Sequence, residues 1–316
     1  MRHLQTLRMI QAVARAGSIR RAAEDMHITS TALNRRIQSF EAEFGAQIFE
    51  RLPRGVRLNP AGELLMQHIR SQIVDLARVQ SQVADLGGER RGHVSIACSQ
   101  GLVPLFLPDQ ISRYRAEHPG VTFSVRVRDR AQAEQALSRF EADLALVFEP
   151  VYLVEFEVLK AIAQPVCAVM AADHPLATRP DLRLWDCLAE RHVVPAEGYG
   201  VRHLLELATH GRARRLSPVL ESDSFELMRR YVLRERAIAF EIPIGLLPLN
   251  DPAMVVRPLP TRDIAAGLLL LGQMRGRALS VASAKFALQI TAALEAAEPN
   301  PAPEVSRAPV RSSREA

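Results

Sequence analysis

The stretch from Gly17 to Gly62 constrains the fold of this chain more than any other, because turn residues interrupt helical apolar spacing there at short intervals. The residues before it predict a first amphipathic helix that ends at Gly17, since apolar side chains recur every three or four positions. These apolar residues are Leu4, Leu7, Ile10, Val13 and Ala14. Ser18 follows directly and has the hydroxyl that a helix N-cap requires, so a second helix is expected to begin beside it.

The second helix is short and carries Ala22 and Ala23, which are small enough to let another helix cross closely. His27-Ile28 predicts a tight turn, and Thr29 is a second good N-cap. Two short helices joined by such a turn are typical of a helix-turn-helix.

The third helix is predicted from Ser30 to Phe44 and has two chemically different faces. Its apolar face is expected to pack on the core and comprises Leu33, Ile37, Phe40 and Phe44. Its polar face is expected to reach base edges or phosphates of DNA and comprises Ser30, Thr31, Asn34, Arg35 and Gln38. Three amphipathic helices also occur in bundles that bind no DNA, so the helices alone do not establish DNA binding.

A short hairpin with glycine near its tip is predicted over residues 49–58. It carries three arginines, Arg51, Arg54 and Arg57. Residues 1–58 hold ten arginines against five acidic residues, a net charge of +5, and the whole chain is also +5. The positive charge is therefore concentrated at one end, which favours attraction to phosphates.

This part of the chain resembles the winged helix-turn-helix of LysR-type transcriptional regulators. The matching features are Ala22-Ala23, the helix from Ser30, the run Ile48-Phe49-Glu50-Arg51 and the ending Val56-Arg57-Leu58-Asn59-Pro60-Ala61-Gly62. The resemblance is close over the N-terminal domain and looser to about residue 296. It implies a double-stranded DNA operator, a small-molecule effector, a homo-oligomer that is a dimer of dimers, and contact with RNA polymerase. Ser30, Thr31 and Asn34 depart from the residues common in the family, which affects the operator sequence that is read.

A long amphipathic helix is predicted next, with Asn59 as N-cap and Pro60 in its first turn. Its apolar stripe runs to Gly87-Gly88 and comprises Leu65, Ile69, Ile73, Leu76, Val79, Val83 and Leu86. The stripe either packs on its own domain or pairs with a partner helix. Pairing is favoured because little surface of the same chain is expected between two separate domains. In the family that the chain resembles, this helix is the dimerisation linker.

Strands alternating with helices are predicted beyond Gly88, which is typical of parallel α/β sheets. The predicted strands lie near residues 93–98, 121–127, 143–148, 165–170, 192–194, 219–220, 237–240 and 267–271. The resemblance implies a two-lobe, periplasmic-binding-protein-like effector domain, crossed near 161–164 and 264–267. The expected organisation is residues 1–59 for DNA binding, 60–88 for the linker, 91–297 for the effector domain (lobe I about 91–162 and 267–297, lobe II about 163–266), and 298–316 as a disordered tail.

In such folds a ligand binds between the lobes, outside the carboxyl ends of the strands. In lobe I this rule selects Ser99, Gln100, Asp129, Arg130 and Glu149. In lobe II it selects Glu197 and Arg202, within 196–202, then Ser222, within 222–224, and Phe240 and Glu241. The resemblance gives its strongest support to Ser99 and Asp129 as ligand contacts. Arg130 and Arg202 suit a carboxylate, whereas the three glutamates argue against a simple anion, so the effector is not identified.

Other function classes find less support in the sequence. The chain has no glycine-rich dinucleotide or phosphate loop, no nucleophile elbow and no His/Glu metal motif, so we expect neither an enzyme nor a bound cofactor or metal. A solute-binding protein would explain the two lobes but not the cationic hairpin. The N-terminus has no signal-peptide pattern, so a cytoplasmic location is expected.

Cysteine chemistry offers one further alternative. Cys98, Cys167 and Cys187 are odd in number and lack metal-ligand spacing, so neither a disulfide framework nor a zinc site is expected. Cys98 is either a redox-sensing thiol or a buried structural residue, and burial is favoured.

Overall fold

A computed structural model of the chain describes residues 2–86, 92–212, 215–246 and 251–298. The predicted helix stop at Gly87-Gly88, and the predicted tail from residue 299 onward, lie outside these residues. Among the helices of the described ranges, none combines the length and the apolar character needed to cross a bilayer.

The N-terminal elements are α1 (Arg2–Ala16), α2 (Ile19–Asp25), α3 (Ser30–Phe44), β1 (Phe49–Leu52), β2 (Gly55–Leu58) and α4 (Pro60–Leu86). The following elements are β3 (Gly92–Cys98), α5 (Phe106–Glu117), β4 (Val121–Val127), α6 (Arg130–Ser138), β5 (Leu144–Phe148), β6 (Phe156–Gln164), β7 (Cys167–Ala171), α7 (Leu184–Cys187), β8 (Val193–Pro195), α8 (Gly200–Thr209), β9 (Leu220–Ser222), α9 (Phe225–Glu235), β10 (Ile238–Glu241), β11 (Met254–Pro258), β12 (Gly267–Met274) and α10 (Val281–Ala296). Two short 3₁₀ turns lie at Gln100–Leu102 and Pro243–Gly245.

Local capping determines where α2 and α3 begin. The Ser18 hydroxyl accepts a hydrogen bond from the backbone N–H of Arg21 at 3.4 Å, and the Thr29 hydroxyl accepts one from Ala32 at 3.2 Å. Each cap pairs an amide that the first turn leaves without a partner and contributes about 1 kcal/mol. His27 has a φ of 55° and reverses the chain between the two helices. Both predicted caps and the predicted turn are therefore present.

The core of the N-terminal domain follows the apolar pattern of its helices, with one exception. Fully buried residues from α1, α2 and α3 meet at its centre, including Ile10, Val13, Ala22, Ala23 and Leu33. The prediction that Phe44 belongs to this core is wrong, since its side chain is 47% exposed. Phe44 stacks on Phe40 instead, with the ring centroids 5.7 Å apart. At the last position of α3, the ring extends past the packed face.

A backbone contact holds the hairpin of β1 and β2 against the end of α1. The N–H of Val56 donates to the carbonyl of Gly17 at 3.0 Å. A Cβ atom at Gly55 would lie 2.3 Å from that same carbonyl oxygen, and Gly55 has a φ of 134°, which L side chains rarely adopt. Only glycine allows this close approach, so the wing and the α1–α2 turn form one unit.

The start of α4 is set by Asn59, as predicted. Its Oδ1 accepts the N–H of Gly62 at 2.8 Å, while its amide nitrogen donates to the carbonyl of Gln47 at 2.9 Å. The helix is therefore tied to the base of the wing where it begins.

The apolar stripe of α4 divides into two halves with different surroundings. Leu65 and Ile69 are buried in the N-terminal core, and Ile73 packs partly against it. Val79 and Val83 are 44% and 61% exposed. The prediction of a single seam for a partner helix is therefore corrected. The first half packs within its own chain, because the three-helix domain offers an apolar face there, whereas Val79 and Val83 of the second half remain exposed.

Lobe I is built on a five-stranded sheet with the order β4-β3-β5-β12-β6. β3 pairs in parallel with both β4 and β5, as predicted. β12 is antiparallel to both of its neighbours, β5 and β6, so the sheet is mixed and not wholly parallel. β6 was not predicted as a strand. It lies beside β12 because the chain leaves lobe I at the end of β6 and re-enters lobe I at the start of β12.

Lobe II contains two smaller sheets, one with the order β10-β7-β11 and one formed by β8 and β9. β7 is antiparallel to both neighbours, whereas β8 and β9 are parallel. A parallel bridge between His192 and Ile238 links the two sheets. β11 was not predicted, since its formation depends on pairing with β7, which is distant in sequence.

Two adjacent chain segments join the lobes. Gln164, the last residue of β6, is paired with Gly267, the first residue of β12. The side chain of Gln164 is fully buried, and its Oε1 accepts the N–H of Ile244 in lobe II at 3.1 Å. Within lobe II, beside the crossing, the N–H of Leu259 donates to the carbonyl of Val166 at 2.9 Å. The two predicted crossings therefore lie side by side.

We expect the exposed half of α4 to carry the self-association of the protein. Val79→Asp combined with Val83→Asp places two carboxylates in the proposed helix pair, where either they are desolvated or the helices separate. Sedimentation should then show smaller species at an unchanged melting temperature, because neither side chain is buried in its own chain.

A matched control is Gln72→Asp combined with Gln80→Asp, which adds the same charge at exposed polar positions of the same helix. The control should keep the assembly of the unmodified protein. An assembly that survives both pairs of substitutions would contradict the proposed contact.

Candidate DNA-binding surface and effector cleft

The polar face of α3 is available for contact with DNA. Leu33 and Ile37 are buried and hold the opposite face on the core. The predicted reading residues lie away from it, where Ser30, Thr31, Arg35 and Gln38 are exposed and Asn34 is half-buried. Their spacing places all five along one side of the helix.

The wing borders the same groove as α3. A groove of about 940 Å³ has Asn34 and Gln38 on one side and Arg51 and Val56 on the other. Arg51 and Arg54 are exposed, and within the described chain neither guanidinium forms an ion pair. Side chains from a helix and from a neighbouring hairpin can therefore contact one DNA duplex together.

Arg57 differs from the other two wing arginines. Its Nη2 lies 2.5 Å from Glu50 Oε1 across the hairpin, with the two side chains 69% and 42% exposed. Its charge is partly balanced in place, so it contributes less to attraction toward phosphates than Arg51 or Arg54.

Sequence reasoning missed a residue that positions the wing. Glu41 of α3 accepts backbone N–H groups from Ile48 at 2.8 Å and Phe49 at 3.4 Å through one carboxylate oxygen. The carboxylate thereby attaches the start of β1 to α3. The partners lie seven and eight residues away, beyond any local capping pattern.

The predicted lobe I residues gather at the carboxyl ends of β3, β4 and β5. Ser99 is 8% exposed, and its hydroxyl accepts the N–H of Phe148 at 3.3 Å. Asp129 caps α6 by accepting the N–H of Gln132 at 2.8 Å. Gln100 opens the 3₁₀ turn that follows Ser99. These side chains share one edge of the sheet, as the topology predicted.

Arg130 connects the two lobes directly. Its Nε donates to the carbonyl of Gly198 in lobe II at 3.2 Å, and its Nη1 donates to the carbonyl of Glu149 at 3.0 Å. Glu149 has a φ of 56°, and its Oε1 accepts the N–H of Leu268 at 2.7 Å. The Glu149 carboxylate therefore supports the sheet edge, so it is engaged before any ligand arrives.

Glycines let the backbones of the two lobes touch at two further places. A Cβ at Gly200 would lie 2.5 Å from the carbonyl oxygen of Phe148, and a Cβ at Gly245 would lie 1.7 Å from that of Gly101. Gly200 and Gly245 belong to lobe II, and their contacts belong to lobe I. The lobes are thus closed on each other through backbone contacts that a larger residue would prevent.

Three predicted lobe II residues have side chains that are engaged within their own lobe. Phe240 is fully buried in the core, and both oxygens of Glu241 are paired with Arg229, at 2.9 and 2.5 Å. Arg202 is paired with Glu206 at 2.6 Å and Glu221 at 2.9 Å within its own lobe. A topological rule places a residue near the cleft but does not reveal the nonlocal partner that takes its side chain.

The remaining lobe II predictions have different surroundings. Glu197 is exposed, while the hydroxyl of Ser222 accepts the N–H of Ser224 at 2.9 Å. Tyr199 lies between the two glycines of the loop, within the predicted range 196–202, but it was not singled out there. Burial raises the pKa of the Tyr199 hydroxyl first, and the nearby carboxylates of Asp223 and Asp129 raise it further. Tyr199 therefore stays a neutral hydrogen-bond donor beside acids from both lobes.

Comparison with known proteins identifies the architecture. Residues 4–63 match the family described as bacterial regulatory helix-turn-helix protein, lysR family, and residues 87–295 match the LysR substrate binding domain. The chain belongs to the LysR family of transcriptional regulators. The winged helix-turn-helix and the two-lobe effector domain predicted from the sequence are both confirmed.

Relatives of this LysR-family chain include two proteins that are named as transcriptional regulators. The RuBisCO operon transcriptional regulator of Allochromatium vinosum is 31% identical over 203 residues, or 64% of this chain and 67% of its own. The regulator CbbR of Sinorhizobium medicae is 28% identical over 260 residues, or 78% of this chain and 82% of its own.

Solved structures share the fold of this regulator. A full-length OxyR variant from Pseudomonas aeruginosa has a TM-score of 0.68 at 20% identity, covering 91% of this chain and 97% of that one. CbnR in complex with its target DNA has a TM-score of 0.63 at 16% identity, covering 91% of this chain and 98% of that one. At these identities the likeness concerns the fold.

The cysteines of the regulator do not favour redox sensing. Cys98 is fully buried, and burial raises the pKa of its thiol to about 12. Burial likewise raises the pKa of Cys167 and of Cys187 to about 12. A protonated thiol is a poor nucleophile, so the structural interpretation of Cys98 is favoured over the redox alternative.

The DNA-binding surface predicts that base recognition by α3 and phosphate contact by the wing can be removed separately. Asn34→Ala should cost about 1–3 kcal/mol on the operator and little on random DNA, because an amide reads a base edge. Arg54→Ala should weaken binding to both DNAs and lower the salt slope by about one, because it removes a phosphate contact. Fluorescence anisotropy over a range of salt concentrations measures both effects.

Arg57→Ala is the matched control, since it removes an arginine of the same hairpin whose charge Glu50 already balances. It should change the salt slope less than Arg54→Ala does. Equal losses on operator and random DNA for Asn34→Ala would contradict the assignment of that residue.

The buried thiols predict resistance to modification. In the native regulator at pH 8, a thiol-reactive disulfide reagent should label none of the three cysteines, because their raised pKa values keep them protonated and burial excludes the reagent. All three should react once the protein is unfolded in guanidinium. Rapid labelling of Cys98 in the native protein would restore the redox alternative.

Proposed function

We propose that this LysR-family chain is a ligand-responsive transcriptional regulator, in which a small molecule in the interlobe cleft changes how paired DNA-binding domains bind an operator. The proposal includes a dimer of dimers assembled through the exposed half of α4, with RNA polymerase as a further partner at the promoter. It includes no catalytic step. The proposed place of action is the cytoplasm, where a bacterial operator is found.

The observation that carries the proposal is the bridge from Arg130 to Gly198 and Glu149. The guanidinium of Arg130 contacts both lobes at once. Its hydrogen bond to Gly198 can form only when the two lobes are close together. The closed arrangement also rests on the glycine contacts of Gly200 and Gly245. A ligand that binds one separation of the lobes better than another shifts the equilibrium by its difference in affinity.

The cleft chemistry favours a small polar ligand with both accepting and donating groups. Ser99, Arg130 and Tyr199 provide donors at the facing edges of the lobes. Asp129 and Asp223 place carboxylates beside Tyr199, so the cleft is not uniformly cationic. A hydroxy or amino acid would match this mixture better than a plain anion.

The names of the relatives do not supply the target of this regulator. One relative is named for the RuBisCO operon and another as a probable nitrogen assimilation activator of Synechococcus elongatus. Because these targets differ, the proposal assigns no operon.

The glycine contact at the cleft predicts a variant that cannot close. In Gly200→Val the added side chain would occupy the space of the Phe148 carbonyl, so the lobes must separate or α8 must shift. Operator affinity should remain within a few-fold of the unmodified protein, since Gly200 is remote from the reading helix. A reporter joined to the DNA upstream of the regulator's gene should lose its dependence on growth conditions.

Leu207→Val is the control on the same helix, because Leu207 is 59% exposed and a valine there alters no lobe contact. Its reporter should respond as usual. A Gly200→Val protein that retains the full response would contradict regulation through closure of the lobes. Failure of the unmodified protein to bind the operator would instead contradict the regulator function itself.

A further inference from the structure

A second cavity, apart from the interlobe cleft, lies between the DNA-binding domain and lobe I. It has a volume of about 730 Å³, within the range typical of small-molecule sites. Its walls come from α1, α4, β4 and the end of α6, so two domains share it. Five arginines line it: Arg8, Arg15, Arg70, Arg126 and Arg139.

These arginines have no partner of their own. In the parts of the chain that the structure describes, none of the five guanidinium groups forms an ion pair or a side-chain hydrogen bond. Glu63 and Glu141 also line the cavity, and neither forms an ion pair with another of the described residues. Five arginines against two glutamates leave three positive charges around one space.

Several arginines elsewhere in the regulator are neutralised in place. Arg183 pairs with Asp263, Arg229 with Glu241 and Arg277 with Asp143. Like charges gathered around one cavity repel each other, and an anion bound among them relieves that repulsion. Arg8, Arg15, Arg126 and Arg139 are exposed, so water solvates their guanidinium groups, and a multivalent anion can replace that water while relieving the repulsion.

We propose that this cavity, the arginine cavity, binds a small molecule that carries at least two phosphate groups. Arginine presents a planar set of donors that matches phosphate oxygens in pairs. A phosphate group carries about −1.5 to −2 near pH 7, so two groups balance three positive charges, whereas a dicarboxylate leaves an excess.

A DNA backbone is the competing occupant, and the geometry disfavours it. None of the eight residues assigned to DNA contact lines this cavity, and Asn34, Gln38 and Arg51 border a different groove. Arg126 and Arg139 belong to the effector domain, on the far wall from α1. Duplex DNA is too wide to enter a space of this size between two domains.

Binding at this position has a functional consequence. A bound polyphosphate would join Arg8 and Arg15 of α1 to Arg126 and Arg139 of lobe I. It would hold the DNA-binding domain at one orientation relative to lobe I, and thereby act as an input separate from the cleft ligand.

The test is calorimetric titration of the full-length protein with inorganic tripolyphosphate, without DNA and at constant ionic strength. The unmodified protein should bind it, and bind orthophosphate more weakly. Arg126→Gln combined with Arg139→Gln should weaken tripolyphosphate binding about tenfold or more, since two charge-assisted hydrogen bonds are removed. Arg8→Gln combined with Arg15→Gln, on the opposite wall, should have a similar effect.

The matched control is Arg115→Gln combined with Arg275→Gln, which removes the same charge from exposed positions of lobe I outside the cavity. Its affinity for tripolyphosphate should equal that of the unmodified protein. Equal affinity in all four proteins, or no binding by the unmodified protein, would overturn the proposal.

A second measurement separates this site from DNA contact. Without tripolyphosphate, Arg126→Gln combined with Arg139→Gln should leave operator affinity and its salt slope unchanged. A reduced slope would assign these arginines to the DNA backbone and overturn the proposal. Both outcomes are independent of the cleft ligand, so they do not depend on the response tested with Gly200→Val.

Discussion

The antiparallel pairing of β12 with β5 and β6 is the constraint on which the effector domain depends. The chain leaves lobe I after Gln164 and returns at Gly267, and these two residues face each other in the same sheet. The two connections therefore start from one point of the molecule. Any relative motion of the lobes must bend about this point, since the sheet of lobe I holds both strands rigidly.

Because the lobes move about this point, a few contacts at the cleft can determine the angle between them. Arg130, Gly200 and Gly245 lie where the lobes meet, so each contact changes with the angle between them. Lobe II itself is stiffened by the buried pair of Arg229 and Glu241, which takes the carboxylate that sequence reasoning had assigned to a ligand. Burial raises the pKa of Glu241 and Arg229 lowers it, the first effect being the larger. The pair thus orders the lobe but leaves ligand contact to other residues.

Features encoded by neighbouring residues could be predicted from the sequence. The caps Ser18, Thr29 and Asn59 act within three residues, so their roles were visible in the local pattern. β6 and β11 were missed because their formation depends on pairing with β12 and β7, which are distant in sequence. The same distinction between local and nonlocal contacts explains which cleft residues could be predicted. Ser99 and Asp129 follow from strand order, whereas the ion pairs of Arg202 and the backbone contacts of Gly200 are nonlocal.

The contact between Gly17 and Gly55 has a consequence for how operator preference can diverge in this fold. Because it joins the wing to the α1–α2 turn, and Glu41 ties β1 to α3, residues 17–62 behave as one preassembled reading head. Surface side chains on this head can change without disturbing its internal geometry. Exchanging the whole segment between related proteins should therefore transfer sequence preference as a single inherited unit, while substitutions at either glycine would misalign both DNA-contacting elements together.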